Sequence, residues 1–447
     1  MDLFNNEEIL KPKKKKEIKV STIILIFIVL LSILLILTIV GIIYFKASIL
    51  KISIDGMNGE ALEEILVIEE NNKIYMPIKK MAEFLNYDAY NGDYITRSED
   101  ATKCYIETEQ ELVSFTLNSN VLIKVIEGQT QQVHIAEPIK EINGELCITA
   151  EAAQDAYNFT FYYDTEANQI YIQTLSYLYN GYSSQFQAKG YVTIENETFE
   201  NKTAILDGML IVKSQNEYYG AITTTGESIL ETKYDSINYL RKTSDFLVES
   251  NGKKGIISAT KETKVELVYD NIETVTNKND VFYIVEKSGL YGLLDAEGKT
   301  IIYPEYEKIG IDVTSYAQNG VTNGCILYNQ IVPVQRNNKW ALFNINGERV
   351  TDFIYDSFGC PNTQSGVARR YGVIEVLDYN LIVGCQSGKY NLITLEGKAL
   401  FGSSILDSVY ITISQGKNVY YITSGSTTKE LISFLQENGV AKPTPIQ

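Results

Sequence analysis

The sequence predicts three successive architectures. These are an N-terminal transmembrane helix, an α+β domain of antiparallel sheet with short helices, and an all-β repeat domain. The repeat domain is expected to be propeller-like, with an open β-solenoid as the alternative. Three observations carry this prediction. Val20 to Phe45 is a run of 26 residues without a charge. Residues 51–174 contain a duplication at an offset of 72. Beyond residue 205 one short pattern recurs five times, and fixed periods of about 20–50 residues signal a repeat architecture.

The apolar run comes first. At about 1.5 Å per residue a helix of this length spans a hydrocarbon core of about 30 Å with some tilt. KPKKKKEIK, residues 11–19, precedes it, and positive charge beside a first apolar span stays cytoplasmic. The run exceeds the apolar region of about 7–15 residues in a signal peptide, and YFKAS is a poor cleavage site. The expected organisation is a cytoplasmic basic tail over 1–19 and an uncleaved signal-anchor helix over 20–46. Residues 47–447 then lie outside the cell membrane, in the cell envelope.

Charge narrows the partners. The chain has 39 basic and 56 acidic residues, for a net charge of −17; residues 1–19 carry +2 and residues 47–447 carry −20. So acidic a body repels nucleic acid and anionic headgroups, so no nucleic-acid partner is expected. The 32 tyrosines fit surfaces that bind sugars or protein, and equally the composition of an AT-rich genome. Five cysteines, Cys104, Cys147, Cys325, Cys360 and Cys385, leave at least one unpaired. They form no CxxC or His/Cys cluster, so no structural zinc is expected. Buried thiols are the expectation, with a Cys104–Cys147 bridge left open.

Residues 50–175 form the next domain. NNKIYMPIKKMAEFLNYDAYNGDYI and NGELCITAEAAQDAYNFTFYYDTEANQIYI each read as a strand, a two-turn helix and further strands. Ile78, Met81, Phe84 and Leu85 share one face of the first helix; Ala152, Ala153, Ala156 and Tyr157 share one face of the second. Pro77 suits a first turn and Thr149 an N-cap. Asn86 and Asn158 suit the left-handed residue that ends a helix. Between the copies, CYIETEQELVSFTLNSNVLIKV alternates like a hairpin. The pattern resembles the copper amine oxidase N-terminal-like domain of exported Gram-positive proteins, with Lys79 where Arg is usual, Asn for the Gly and no Pro in the second copy. The resemblance implies a non-catalytic stalk. It brings no copper, because the chain has one histidine, His134, where the oxidases use three.

Residues 176–204 are polar, Tyr-rich and irregular, read as a linker or a divergent repeat. In the repeat domain, 205–425, the reference pairs are Tyr219-Gly220, Lys254-Gly255, Tyr291-Gly292, Trp340-Ala341 and Tyr390-Asn391. Six residues after each pair stand Gly226, Lys261, Gly298, Gly347 and Gly397. Fourteen after stand Tyr234, Tyr269, Tyr306 and Tyr355, each followed by an acid; Leu406-Asp407 is the fifth, off by one. The zero-position glycine lets a neighbouring strand approach. The glycine at plus six supplies positive φ for a tight hairpin, and the Tyr fills a core. The following acid is expected to cap a turn or face water. These units resemble WG repeats. Each reads as about four short strands without helices, which favours a propeller-like ring over an open β-solenoid. Residues 426–447 are expected to hold a short helix, TTKELISFLQENG, capped by Thr427 or Thr428 and ended by Gly439.

No phosphate loop, GxSxG elbow or DxDxDG loop is present. No catalytic, metal or cofactor-binding residue is assigned and no cofactor is expected. The leading expectation is a non-catalytic, membrane-anchored envelope protein whose repeats present a ligand- or protein-binding surface; cell-wall polymer, for which the stalk-like domain is itself a candidate binder, and an envelope protein are the expected partners. The inserts at 310–330 and 359–375 are candidate contact loops, the second for its cluster Arg369, Arg370 and Tyr371. The competing expectations are a carbohydrate-active enzyme using paired carboxylates in a propeller cleft, and a partner-dependent envelope sensor.

Overall fold

A computed structural model describes residues 27–38, 51–58, 67–68, 73–108, 111–126, 129–192, 198–277, 280–310, 331–359, 375–376, 379–402, 406–414 and 417–441. The chain divides into two compact units, residues 1–63 with 162–171, and residues 64–161 with 172–447.

The first unit corrects the membrane expectation. Its helix α1 is described over 27–38. No helix among the described residues is long and apolar enough to cross a membrane. The rest of the expected span, 20–26 and 39–46, lies outside them. The unit also holds the strands Lys51–Ile54 and Met57–Asn58, joined at Asp55 and Gly56 with φ of 51° and 77°. The Lys51 N–H donates to the Asn168 carbonyl at 2.9 Å.

In the second unit the duplication takes a paired form. The strands Ile74–Pro77 and Glu145–Thr149 are antiparallel, with Tyr75 opposite Thr149, Met76 opposite Ile148 and Pro77 opposite Cys147. Met76 and Ile148 are equivalent positions of the two copies, so a local two-fold passes between them. Helices α2 (Ile78–Phe84) and α3 (Ala150–Tyr157) leave from these strands. The Thr149 hydroxyl accepts from the Ala152 N–H at 3.3 Å, and Asn86 and Asn158 hold φ of 58° and 54°. Pro77 stands at the N-cap of α2 rather than in its first turn. Tyr157, fully buried, donates its hydroxyl to the Ile78 carbonyl at 2.5 Å, tying one copy's helix end to the other's helix start. Between the copies lies a five-stranded meander from Asp88 to His134.

The stretch read as an irregular linker is helical. Helix α4, Leu175–Ala188, is capped by Thr174, and α5, Phe199–Thr203, by Thr198. Six small antiparallel sheets follow in chain order. Sheet 1 is Met209–Lys213, Tyr219–Thr223 and Ser228–Tyr234. Sheet 2 is Ser236–Leu240, Asp245–Ser250, Lys253–Ser258 and Thr263–Tyr269. Sheet 3 is Asn271–Asn277, Asp280–Lys287, Leu290–Asp295 and Thr300–Tyr306. Sheet 4 is Lys308–Ile309, Ile331–Arg336 and Lys339–Asn344. Sheet 5 is Ser357–Phe358, Glu375–Val376, Leu381–Gln386 and Lys389–Thr394. Sheet 6 is Ser408–Ser414, Lys417–Ser424 and Thr427–Glu430.

Successive sheets stack face to face, which explains the apolar runs. In Asp280–Lys287 the residues Val281 to Val285 are all buried, because Tyr283 and Val285 pack toward sheet 2 and Phe282 and Ile284 toward sheet 4. A strand covered on both faces loses the apolar–polar alternation of a one-sided sheet. The small, face-to-face sheets match the propeller-like expectation, but sheet 1 does not close a ring with sheet 6 among the described residues. Sheet 1 packs Met209, Ile211 and Ala221 on sheet 2, and its other face, Leu210, Val212 and Ile222, is covered by Phe186, Leu178 and Tyr182 of α4. A closing ring needs that second face free for the last sheet. At the far end, helix α6 (Leu431–Glu437) follows sheet 6 with Glu430 at its N-cap. Thr427 and Thr428 lie in the preceding strand instead.

Candidate functional site: the straps between repeats

The zero-position glycines sit on the next-to-last strand of sheets 1 to 3. A Cβ there would lie 2.7 Å from the Leu230 carbonyl oxygen at Gly220, 2.6 Å from that of Val265 at Gly255 and 2.7 Å from that of Ile302 at Gly292. All three oxygens belong to the last strand of the sheet, which bulges across the glycine: Tyr291 faces Tyr306, but Leu293 faces Ile302. Where the glycine is lost, the strand that would follow it is reduced to isolated bridges among the described residues. Beside Ala341 only the bridges Trp340–Tyr355 and Phe343–Arg349 form. Beside Asn391 the bridges among the described residues are Tyr390–Leu406 and Ile393–Ala399, and the Asn391 amide donates to the Gly402 carbonyl at 2.9 Å.

The plus-six position is left-handed in all five units, with φ of 88°, 71°, 79°, 82° and 84° at Gly226, Lys261, Gly298, Gly347 and Gly397. The glycine is required by space as well as by φ. A Cβ on Gly298 would lie 2.0 Å from the Lys264 oxygen of the preceding sheet, and one on Gly347 2.1 Å from that of Ile301. The Tyr at plus fourteen faces the first residue of its own pair: Tyr219 with Tyr234, Lys254 with Tyr269, Tyr291 with Tyr306.

The acid after that Tyr straps its unit to the next sheet. Its backbone N–H donates to the next sheet's second strand, from Asp235 to Glu249 at 2.8 Å, Asp270 to Glu286 at 2.8 Å, Glu307 to Gln335 at 3.0 Å, Asp356 to Cys385 at 2.8 Å and Asp407 to Thr423 at 2.8 Å. Its carboxylate accepts a backbone N–H from that sheet's following hairpin. The donors are Asn251 at 2.6 Å, Ser288 at 2.6 Å, Asn337 at 2.9 Å, Ser387 at 2.5 Å and Gly425 at 2.6 Å. In three straps the other carboxylate oxygen pairs with a lysine of the acid's own unit: Lys253 with Asp270, Lys339 with Asp356 and Lys389 with Asp407. The lysine, then the turn N–H, holds the carboxyls of Asp270 and Asp407 below the usual range; at Asp356 the lysine's pull prevails over partial burial.

A second polar cluster lies where the α+β segment meets the repeats. Glu111 and Lys124 are buried, with Lys124 Nζ 3.2 Å from Glu111 Oε2. The Asn158 amide donates to Glu111 Oε1 at 2.6 Å, and Lys124 donates to the Asp155 carbonyl at 2.7 Å and to Asn158 Oδ1 at 3.1 Å. Burial pushes the Glu111 carboxyl up, against the downward pull of Lys124. Arg241 of sheet 2 bridges Asp155, at 3.5 Å, and Asp207, at 3.4 Å; the Tyr239 hydroxyl donates to Asp207 at 2.8 Å. None of these roles was assigned from sequence. A buried Lys–Glu pair on adjacent strands of one meander has no local spacing signal, since its partner Asn158 is 34 residues from Lys124.

Among the other sequence-selected residues, Arg369, Arg370 and Tyr371 lie outside the described residues, as do 311–330, Cys325 and Cys360. Cys104, Cys147 and Cys385 are buried free thiols. His134 is exposed at the end of an edge strand. No cluster of three His, Cys, Asp or Glu side chains suited to a metal occurs among the described residues.

The unit beginning at Tyr291 decides the repeat type. Residues 291–312 match the WG containing repeat. No curated protein matches the chain. Among solved structures the chain is similar to PorZ, a surface component of the type-IX secretion system of Porphyromonas gingivalis. That likeness has 8% identity and a TM-score of 0.17, over 73% of this chain and 37% of PorZ. A second is the WD40 domain of SCAP from fission yeast, at 8% identity and a TM-score of 0.20, over 54% of this chain and 65% of that one. A third is AztD from Citrobacter koseri, at 8% identity and a TM-score of 0.18, over 73% of this chain and 92% of that one. The chain thus spans little more than a third of PorZ.

Proposed function

We propose that this protein is a non-catalytic binding scaffold of the cell envelope, whose repeats present a surface to cell-wall polymer or to an envelope protein. The observation that carries the reading is the use of the signature acids. In all five units the acid holds a hairpin of the next sheet, so the most chemically capable residue of the repeat is committed to stacking. The WG containing repeat and the six stacked sheets are compatible with such a role. The paired strand–helix copies around Met76 and Ile148 support the stalk reading of residues 50–175 within the same proposal, and the extracytoplasmic setting is proposed from the resemblance of that segment to a domain of exported proteins. The test is co-sedimentation of the full chain with cell walls purified from its own host, over a salt series, alongside crosslinking on intact cells. Saturable pelleting, or one dominant crosslinked envelope protein, is the expected result. Neither, together with turnover of any wall glycan, overturns the reading.

A further inference from the structure

Sheet 1 is preceded by helices rather than by a repeat, yet it receives the contacts that a preceding repeat supplies elsewhere. The first is the strap N–H. In sheets 2 to 5 it reaches the carbonyls of Glu249, Glu286, Gln335 and Cys385. These stand opposite the leading residue of their pair, Lys254, Tyr291, Trp340 and Tyr390. In sheet 1 that position is Lys213, opposite Tyr219, and the Val192 N–H donates to its carbonyl at 3.0 Å. The second is the close approach at plus six. Gly298, Gly347 and Gly397 meet the carbonyl oxygens of Lys264, Ile301 and Val350 in the unit before. Gly226 meets the Lys189 ammonium instead, which donates to the Gly226 carbonyl at 2.8 Å. The third is the covering face. Leu178, Tyr182 and Phe186 of α4 lie on Leu210, Val212 and Ile222. The counterparts of those three in sheet 2, Phe246, Val248 and Ile257, pack on the sheet before.

The same segment closes an edge. The buried Asn201 of α5 donates its amide to the Ile237 carbonyl and accepts from the Tyr239 N–H, both at 2.8 Å. These are the bonds a neighbouring strand would make to the edge strand Ser236–Leu240. Side chains of α4 and α5 thus stand in for the backbone and the apolar face of a repeat, as the ends of stacked arrays require. The hold on sheet 1 is lighter than between repeats. Each signature acid gives its neighbour an N–H bond and a carboxylate bond. Val192 has no carboxylate and gives only the first. The Lys189–Gly226 bond is exposed, so water competes for both of its partners.

We infer that residues 175–203 are a cap that imitates a preceding repeat, and that the face beneath α4 is a latent docking surface for a repeat sheet of a second copy of this chain. The face itself selects that occupant. It carries apolar residues at the positions through which sheet 2 receives sheet 1, and a free strap acceptor would go with them once Val192 left Lys213. The experiment is sedimentation velocity of the full chain across a concentration series, with hydrogen exchange on the same samples. The double variant Leu178→Asp, Phe186→Asp should release α4. A species of twice the wild-type mass should then grow with concentration, to at least tenfold its level in wild type. Adding Leu210→Lys, which puts a charge on the uncovered face, should abolish it. Exchange over Asp280–Lys287 in sheet 3 should stay at the wild-type rate in both. Lys189→Met loosens the cap without uncovering the face, and should speed exchange of the Val192 amide at least threefold with sheet 3 unchanged. A double variant that keeps the wild-type mass at every concentration, or whose association survives Leu210→Lys, overturns the docking surface. Loss of protection in sheet 3 together with sheet 1, or an unchanged Val192 amide in Lys189→Met, overturns the cap.

Discussion

Gly292→Ala is the sharpest test of why the repeat carries a glycine at its zero position. The backbone there has an ordinary extended φ, so alanine brings no conformational strain and a slight gain in strand propensity. The cost is spatial. The new Cβ would stand 2.7 Å from the Ile302 oxygen, 2.7 Å from the Pro304 nitrogen and 3.0 Å from the Pro304 Cα. All are backbone atoms of the bulged fourth strand, so the strand itself must move by roughly half an ångström or more to restore contact distances of about 3.5 Å. Overpacking of this kind costs about 1–3 kcal/mol, which in a domain of this size lowers Tm by several degrees. Stacked sheets need not melt as one, so the assay is thermal unfolding combined with native-state hydrogen exchange. Exchange should accelerate over Thr300–Tyr306 and far less in sheet 1. Ala341 shows the outcome nature reached, a unit whose fourth strand is reduced to isolated bridges. A Gly292→Ala variant with unchanged Tm and unchanged exchange over 300–306 would refute the close-approach argument.

Three further perturbations follow from the same contacts. Lys261→Gly relieves a non-glycine residue at φ 71° and should stabilise by about 1 kcal/mol, read as a rise in denaturant midpoint. Lys124→Met leaves the buried Glu111 without its cation and should cost about 3 kcal/mol or more, with partial recovery when Glu111→Gln is added. The straps make stability depend on acid. Asp270, Asp356 and Asp407 have folded-state values below the unfolded ones. Their contribution is therefore complete above the ordinary carboxylate range and is lost as pH falls through the lowered folded values. Thermal unfolding between pH 7 and pH 3 should show this loss, and a triple Asp→Asn variant should flatten it.

How much of this was legible in the sequence depends on the range of the interaction. The positive φ at plus six was readable because a tight hairpin is a local demand, and even Lys261 obeys it. The glycine at zero was readable as a close approach, though not which strand approached. The two helix-ending asparagines were readable for the same local reason. The sheet phase was not. Each sheet takes its first strand from beyond the signature acid, so five signatures generate six sheets, with Val192 pairing Lys213 beside the first. The strap lay hidden because its carboxylate reaches a turn 16 to 31 residues ahead. Helix α4 was missed under a run of Tyr, Ser, Asn and Gly, residues of poor helix propensity. Its signal was present in Leu175, Leu178, Tyr179, Tyr182 and Phe186, spaced to cover sheet 1. That face, once covered, is also what rules out the ring that repeat composition alone favoured.

The most direct test is amide exchange at the five strapped hairpin positions Asn251, Ser288, Asn337, Ser387 and Gly425 in the full chain. These are exposed turn residues whose amides, if free, exchange at near-intrinsic rates. The carboxylate straps predict exchange slowed at least tenfold at all five, with Asp270→Ala releasing Ser288 while Asn251 stays protected. Near-intrinsic exchange at these amides in the wild-type chain would contradict the account, because the signature acids would then not be holding one repeat to the next.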